Sequence, residues 1–577
     1  VIVPEVLASR AAQSPRRTAY VFVDEGGEET RVLSYAELHD RALGVAAALP
    51  CRPGERALLA FPQCPEFVIA FLGCLYAGVV AVPVNPPRRN RAQEATAAVV
   101  GDSAPSVVLT LRSSIPPLQQ ILAGPFAWLA VDEVEPARGA PVARRPGDLA
   151  FLQYTSGSTS TPKGVMVSHG NLAANQEMIA AAFGHDEDST VVGWAPFFHD
   201  QGLIGNLLQP LWVGARAIMM SPMAFVRRPL LWLETISRYR AHTSGGPNFA
   251  FDACVSAASR GPVPAIDLSC WKVAFNGAEP VRPETVRAFT ATFAPHGFTA
   301  AAMHPCYGLA EATLIVTSTG KLRGPRVLPA DAAALEIDAT TRAAPAGGRV
   351  RELAGSGQVL AGETVRIVDP QSLRPCPPTA VGEIWVAGPA VAQGYWRRPE
   401  ASADTFRARI DGEPDDYLRT GDLGVIEDGE LYVVGRVKDL AIIRGRNYYP
   451  HDVEHTVASA HPALQPGAGA AFAVPGAEGE RLVVVQEVRR EHRRCGDPRE
   501  VLAAVRAALA QEHELSLAEL VVTLPGRVPK TSSGKVRRAA AAAIHAAEGF
   551  DRWSPVARPS ATGVQQGALV QPDAEGV

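Results

Sequence analysis

The sequence predicts a layered α/β protein with parallel strands, followed by a stretch of short strands like a small β-barrel and then a compact α+β unit. Two observations carry this: helical and strand-like apolar runs alternate through the first part of the chain, and the texture breaks into short strands separated by turns beyond about residue 360. Length supports several units. A chain of 577 residues exceeds one core, and roughly 100–200 residues per domain gives three or four.

Residues 66–78, Glu-Phe-Val-Ile-Ala-Phe-Leu-Gly-Cys-Leu-Tyr-Ala-Gly, read as a buried helix stopped by glycine, and 79–84 read as the strand that follows. Strands at 107–110 and 128–131 continue the alternation. Later strands are expected at 364–369, 382–386 and 430–434, and a second boundary near Gly435-Arg436-Val437-Lys438-Asp439. Beyond it, strands at 469–474 and 481–488 and an alanine-rich helix at 498–512 make the α+β unit. The stretch 321–362 is rich in Ala, Gly and Pro without a firm period and reads as an insertion. After Phe550 the polar tail is expected to be disordered.

Composition narrows the function. A 47% hydrophobic and 20% charged chain is that of a soluble globular protein. With a net charge of −4 nothing argues for a nucleic-acid partner. Eight scattered cysteines without a CxxC pair suggest reduced, buried thiols and a cytoplasmic location. The start, Val1-Ile2-Val3-Pro4-Glu5, shows no signal-peptide pattern and no methionine. The longest apolar run, 67–82, is shorter than the ~20 residues of a membrane span.

The most informative segment is Tyr154-Thr155-Ser156-Gly157-Ser158-Thr159-Ser160-Thr161-Pro162-Lys163-Gly164, set between two apolar runs. Its hydroxyls and backbone N–H groups can wrap a phosphate while Lys163 adds charge. It is not a Walker loop, because Lys163 is followed by Gly164 and a strand, so it reads as a mobile clamp between strands. An ordinary Ser/Gly hairpin turn is the competing reading.

Six further motifs follow in order: residues 194–202 (Trp-Ala-Pro-Phe-Phe-His-Asp-Gln-Gly), 276–280 (Asn-Gly-Ala-Glu-Pro), 307–313 (Tyr-Gly-Leu-Ala-Glu-Ala-Thr), 417–423 (Tyr-Leu-Arg-Thr-Gly-Asp-Leu), 435–439 and 529–535 (Pro-Lys-Thr-Ser-Ser-Gly-Lys). Together they resemble the adenylate-forming superfamily of acyl-CoA ligases, peptide-synthetase adenylation domains and luciferases, over residues 1–545. Within it the chain is most similar to fatty acyl-AMP ligases. That rests on 82–89 (Val-Pro-Val-Asn-Pro-Pro-Arg-Arg), on 220–225 leading to 244–250, on 442–454, and on the insertion. Lys163 departs from many of those relatives and is the acyl-CoA-ligase-like choice.

The resemblance implies a large N-terminal domain (1–437) of two layered α/β subdomains plus a small β-barrel, and a small mobile α+β C-terminal domain (438–549). It implies ATP and Mg²⁺, a fatty acid substrate, and an acyl carrier protein as acceptor. An acyl-CoA ligase or an amino acid adenylation domain are the alternatives. Thr155, Ser156, Gly157, Ser158, Thr159 and Lys163 would hold phosphates; Glu311, helped by Thr155, would bind the metal. Adenine would lie between Gly277-Ala278-Glu279 and Tyr307-Gly308, Asp422 would accept from both ribose hydroxyls, and Arg436 would add nucleotide contacts. Lys535 would bridge the carboxylate and the α-phosphate as charge builds. A solvated basic turn with Lys530, Arg537 and Arg538 competes with that reading. His199 would line the carboxylate end of the acyl tunnel, against a structural histidine; Pro247, Asn248, Phe249 and Ala250 would form acyl-pocket wall. Lys438 and Asp439 would be the hinge. The cluster Arg489, Arg490, Arg493 and Arg494 would meet an acidic carrier or simply form a solvated loop.

Overall fold

A computed structural model describes residues 1–86, 93–155, 162–476, 479–531 and 534–554. Two large sheets dominate. The first has six strands in the order Ala127–Ala130, Val107–Thr110, Arg56–Leu59, Val80–Pro83, Leu149–Thr155, Lys163–Ser168, all parallel except the last pair. The expected buried helix is present at Pro65–Ala77 and is apolar nearly all round, because it packs inside the layered core. It stops at Gly78 with φ +69°, where a Cβ would meet the Arg144 guanidinium at 2.2 Å.

The second sheet has nine strands: Gln358–Val359, Thr317–Ser318, Met303–Tyr307, Val273–Asn276, Thr243–Gly246, Thr190–Gly193, Arg216–Met219, Thr18–Val23 and Glu29–Ser34. Its six central strands, Met303–Tyr307 through Thr18–Val23, are parallel; the edges are antiparallel. Four neighbouring parallel strands therefore discharge their C-terminal ends along one rim. Those ends carry residues 194–199, 247–250, 277–279 and 308–311. The rim beyond the carboxyl ends of parallel strands is where open α/β sheets bind ligands.

The region expected as a small barrel is a four-stranded antiparallel sheet: Thr364–Val368, Gly382–Ala387, Leu418–Glu427, Glu430–Arg436. The insertion is more ordered than its composition suggests. Val327–Asp331 and Val350–Ala354 pair as a ribbon around the helix Ala332–Ile337. Its few apolar side chains, Ala330, Leu335 and Leu353, join Leu423, Val425, Tyr432 and Val434 of the four-stranded sheet in one cluster. Strands of five residues with only one end buried leave little periodic signal.

The C-terminal unit is a three-stranded sheet, Leu464–Gly476, Gly479–Val488 and Leu517–Thr523, packed with the helices Pro450–Ser459 and Pro498–His513. The latter starts at Asp497, whose carboxylate accepts from the Arg499 N–H, and buries Val501, Val505 and Leu509 on one stripe. All eight cysteines are free, but burial is not general: Cys74 and Cys254 are buried while Cys495 is exposed. No helix among the described residues is long and apolar enough to cross a membrane. Of the tail expected to be disordered, residues 551–554 are instead ordered, with Trp553 buried in the C-terminal core and its N–H donating to Val522 O at 2.7 Å; the rest, from residue 555, lies outside the described residues.

Candidate active site

Antiparallel register sets the first cluster. Asp422 and Arg436 are Cα partners on adjacent strands, and Arg436 Nε donates to Asp422 Oδ1 at 2.7 Å. Tyr307, at the end of its strand in the large sheet, donates its hydroxyl to Asp422 Oδ2 at 2.9 Å. One carboxylate thus joins the two sheets. Burial pushes the Tyr307 phenol well up, and neighbouring Asp422 adds to it, so Tyr307 stays a donor. Gly308 follows because nothing larger fits: a Cβ there would lie 1.7 Å from the Leu314 carbonyl oxygen.

Glu311 forms the second cluster. Tyr395 Oη donates to Glu311 Oε1 at 2.8 Å, and the Lys163 ammonium sits 4.6 Å from the centroid of the Tyr395 ring. Burial raises the Glu311 pKa, while Tyr395 and Arg436 oppose the rise. Sequence reasoning missed Tyr395. It lies 84 residues from Glu311, and an aromatic after a glycine is no signal by itself. Two residues on, Thr313 has φ +65° and ψ −64°, a strained turn for a β-branched residue, held by its hydroxyl donating to Ala390 O at 2.6 Å. Ala278 is also left-handed, with φ +68°. Backbone strain of this kind gathers at sites where geometry matters more than local stability.

Lys535 of the C-terminal unit reaches the same rim. Its side chain is exposed, yet surrounding protein partly desolvates the ammonium. That desolvation lowers its pKa; Arg436 adds to the shift, and Asp200, Glu279 and Asp422 oppose it. Arg436 and Asp200 also act on Glu311, so the two clusters share one electrostatic environment. Glu279 accepts from the Phe249 N–H at 2.7 Å, and burial raises its pKa. His199 feels Lys535 and Asp200; burial brings its pKa down to about 4, so its imidazole is neutral near pH 7. It precedes a π-helical segment, Gln201–Leu208, whose first N–H is capped by Asp200 at 2.7 Å.

Other expected positions divide. Of the four pocket residues, Ala250 is fully buried in the core, and the Asn248 amide donates to Thr285 at 2.9 Å and to Asp252 at 3.2 Å. Both side chains are buried within the protein. Phe249 is 38% exposed beside Trp194 and Phe225, and Pro247 precedes its helix. Thr155 ends its strand opposite Lys163, so the strands expected to flank the clamp are paired. Ser156, Gly157, Ser158 and Thr159 lie outside the described residues, as do Arg88 and Arg89. Gly277 closes its strand with a Cβ position 2.8 Å from Cys306 O. Lys438 and Asp439 form a turn after Arg436, whose carbonyl accepts from the Asp439 N–H at 3.2 Å. Arg490, Arg493 and Arg494 are exposed, while Arg489 donates to Leu464 O at 3.0 Å. The oxygen donors at Glu311 suit Mg²⁺, which takes one or two carboxylates and completes its shell with water and phosphate. No cluster of three or more His, Cys, Asp or Glu able to hold a metal occurs among the described residues.

This combination of sheet rim, carboxylates and a lysine from the C-terminal unit fits a nucleotide-dependent acid-activating enzyme, and comparison with known proteins agrees. Residues 7–396 match the family model described as AMP-binding enzyme, and 438–550 match the Disco-interacting protein 2-like AMP domain. The chain belongs to the AMP-binding enzymes. It is 44% identical to the medium-chain-fatty-acid–[acyl-carrier-protein] ligase JamA of Moorena producens, over 95% of this chain and 96% of that one. To the long-chain-fatty-acid–AMP ligase FadD26 of Mycobacterium tuberculosis it is 37% identical, over 95% and 98%. Among solved structures, a fatty acyl-adenylate ligase from L. pneumophila in complex with acyl adenylate and pyrophosphate matches with TM-score 0.74 and 37% identity, over 95% of this chain and 96% of that one.

Proposed function

We propose that this protein activates a fatty acid with ATP and then delivers the acyl group to the phosphopantetheine thiol of an acyl carrier protein. In the first step a carboxylate oxygen bonds to the α-phosphorus, the bond to the β-phosphate oxygen breaks, and pyrophosphate leaves. In the second the thiol sulfur attacks the acyl carbon, loses its proton, and AMP departs. The observation that carries the reading is that Lys535 of the C-terminal unit lies within electrostatic range of Arg436, Asp200, Glu279 and Asp422. The relatives that are fatty acid–carrier and fatty acid–AMP ligases support substrate and acceptor.

In this reading Asp422, Arg436 and Tyr307 orient the nucleoside, and residues 277–279 flank the base. Lys163 and the 155–159 loop neutralise the outer phosphates. Mg²⁺ supplies further charge neutralisation when bound, held by Glu311 with Thr155 nearby. Lys535 stabilises charge as the adenylate forms, which is how such transfers gain most of their rate. Residues 1–437 form the adenylating domain and 438–549 the lobe that turns about Lys438 and Asp439. The cytoplasm is the compartment that fits.

The test incubates the protein with ATP, Mg²⁺ and a ladder of fatty acids, then offers CoA and a pantetheinylated carrier separately. Pyrophosphate exchange with fatty acids, and thioester on the carrier but not on CoA, is expected. Equal thioester on CoA would make it an acyl-CoA ligase, to which Lys163 points; exchange only with amino acids would sink the fatty acid reading. Lys535→Ala is expected to lower exchange by about 100–1,000-fold with ATP binding retained; near-normal exchange would refute its role.

A further inference from the structure

Arg538 begins the last helix, three residues after Lys535, at the foot of a short loop closed by the Lys530↔Val536 bridge and by Lys535 N–H donating to Thr531 Oγ1 at 3.0 Å. Its guanidinium meets two carboxylates. Nε and Nη2 donate to the two oxygens of Glu454 at 2.7 and 2.8 Å, and Nη1 donates to Asp439 Oδ2 at 2.6 Å. All three groups are sequestered: side-chain exposure is 20% for Arg538, 11% for Glu454 and 19% for Asp439. Glu454 is itself fixed, accepting from the Ala471 N–H at 2.9 Å. Burial works against the charge on Arg538, and the two carboxylates more than offset it. Arg538 is therefore no solvated member of a basic turn.

The consequence lies in what Asp439 is attached to. Its N–H donates to Arg436 O at 3.2 Å, and Arg436 is the partner of Asp422. A continuous path runs from Asp422 through Arg436 and Asp439 to Arg538, and back along the chain to Lys535. We propose that Arg538 is a positioning residue: its clamp on Asp439 and Glu454 couples the domain junction to Lys535 and sets that lysine relative to Asp422 and Arg436. The proposal rests on the adenylation role read for Lys535. A planar fork is needed because three donors must reach two carboxylates at fixed angles, which an ammonium cannot do.

The experiment separates the two half-reactions in the full-length protein. Arg538→Lys and Asp439→Asn are assayed for single-turnover adenylate formation, for ATP affinity, and for thioester formation from chemically supplied acyl-adenylate. Asp439→Asn keeps size and leaves Glu454 paired, so it remains informative if Arg538→Lys is poorly folded. Both variants are expected to slow adenylate formation by about 10-fold or more, with ATP affinity and use of supplied adenylate within about twofold of the parent. A purely structural role would lower all three readouts together, or none, and either result overturns the proposal. Lys535→Ala runs in parallel. If it loses adenylation while both clamp variants keep it, only the clamp fails; if Lys535→Ala itself keeps adenylation, the reading of the site fails and takes the clamp with it.

Discussion

Tyr395 shows how much one hydroxyl can decide. Its hydrogen bond favours the charged form of Glu311, whose burial favours the neutral one. Tyr395→Phe keeps the ring beneath Lys163 and removes only that bond. The Glu311 pKa then rises further, so the acid limb of the rate profile should move to higher pH. The Mg²⁺ concentration for half-maximal exchange should climb by about 10-fold, the worth of a hydrogen bond to a charged group. A pH series of pyrophosphate exchange at several Mg²⁺ concentrations checks both; an unmoved limb would mean that Glu311 does not titrate with activity. Asp422, Arg436, Tyr307, Glu311 and Lys535 were all legible as single letters inside motifs. Their partners were not, because hydrogen bonds between residues 84 or 115 apart leave no trace in local spacing.

The insertion acts at the scale of elements. Its ribbon carries Arg351, which pairs with Asp452 at 2.8 Å, donates to Val434 O at 3.2 Å and lies 4.5 Å from the centroid of the Tyr449 ring. Arg349, just before that strand, binds Glu336 through two bonds and donates to Glu512 O at 2.6 Å. From the large sheet's side, Arg282 donates to His455 Nδ1 at 2.6 Å. The insertion therefore grips the C-terminal unit in this orientation. Arg351→Met strands the Asp452 carboxylate, and its cost should be about 1–3 kcal/mol of domain docking. Amide exchange across 438–449 should accelerate, and CoA should become a better acceptor relative to the carrier. Unchanged exchange there would show that the grip lies elsewhere. Composition, without a firm period, marked the segment only as an insertion. It missed that arginines on a short exposed ribbon gain order from the domain they face.

Across the whole molecule, burial sets the response to acid. His185 and His304 have pKa values brought down to about 3, and His169 and His242 to about 4, each chiefly by burial. His185 and His304 both pack against Phe183, at ring separations of 5.4 and 4.8 Å, and His242 lies 5.7 Å from His185. Unfolded histidine titrates near 6.5, so the unfolded chain binds more protons below that pH. Stability from these residues is present above about pH 6.5 and is lost as pH falls toward their folded values, at up to about 1.4 kcal/mol per histidine per pH unit. Melting temperature should drop steeply between about pH 6.5 and 4. His304→Gln should flatten that slope; a parallel slope would exclude His304 as a contributor.

Local chemistry was enough to determine the layered class, the buried helix that stops at Gly78, and the paired strands on either side of residues 156–161. Those depend on periodicity, turn residues and motif wording, all of which act over a few positions. Only the tertiary structure decided that Asp422 bridges two sheets, that Tyr395 donates to Glu311, that Ala250 and Asn248 are buried, and that Arg538 faces two carboxylates. Each of these is a matter of which side chains share a low-dielectric space, and that is set by how distant segments pack rather than by any neighbour along the chain.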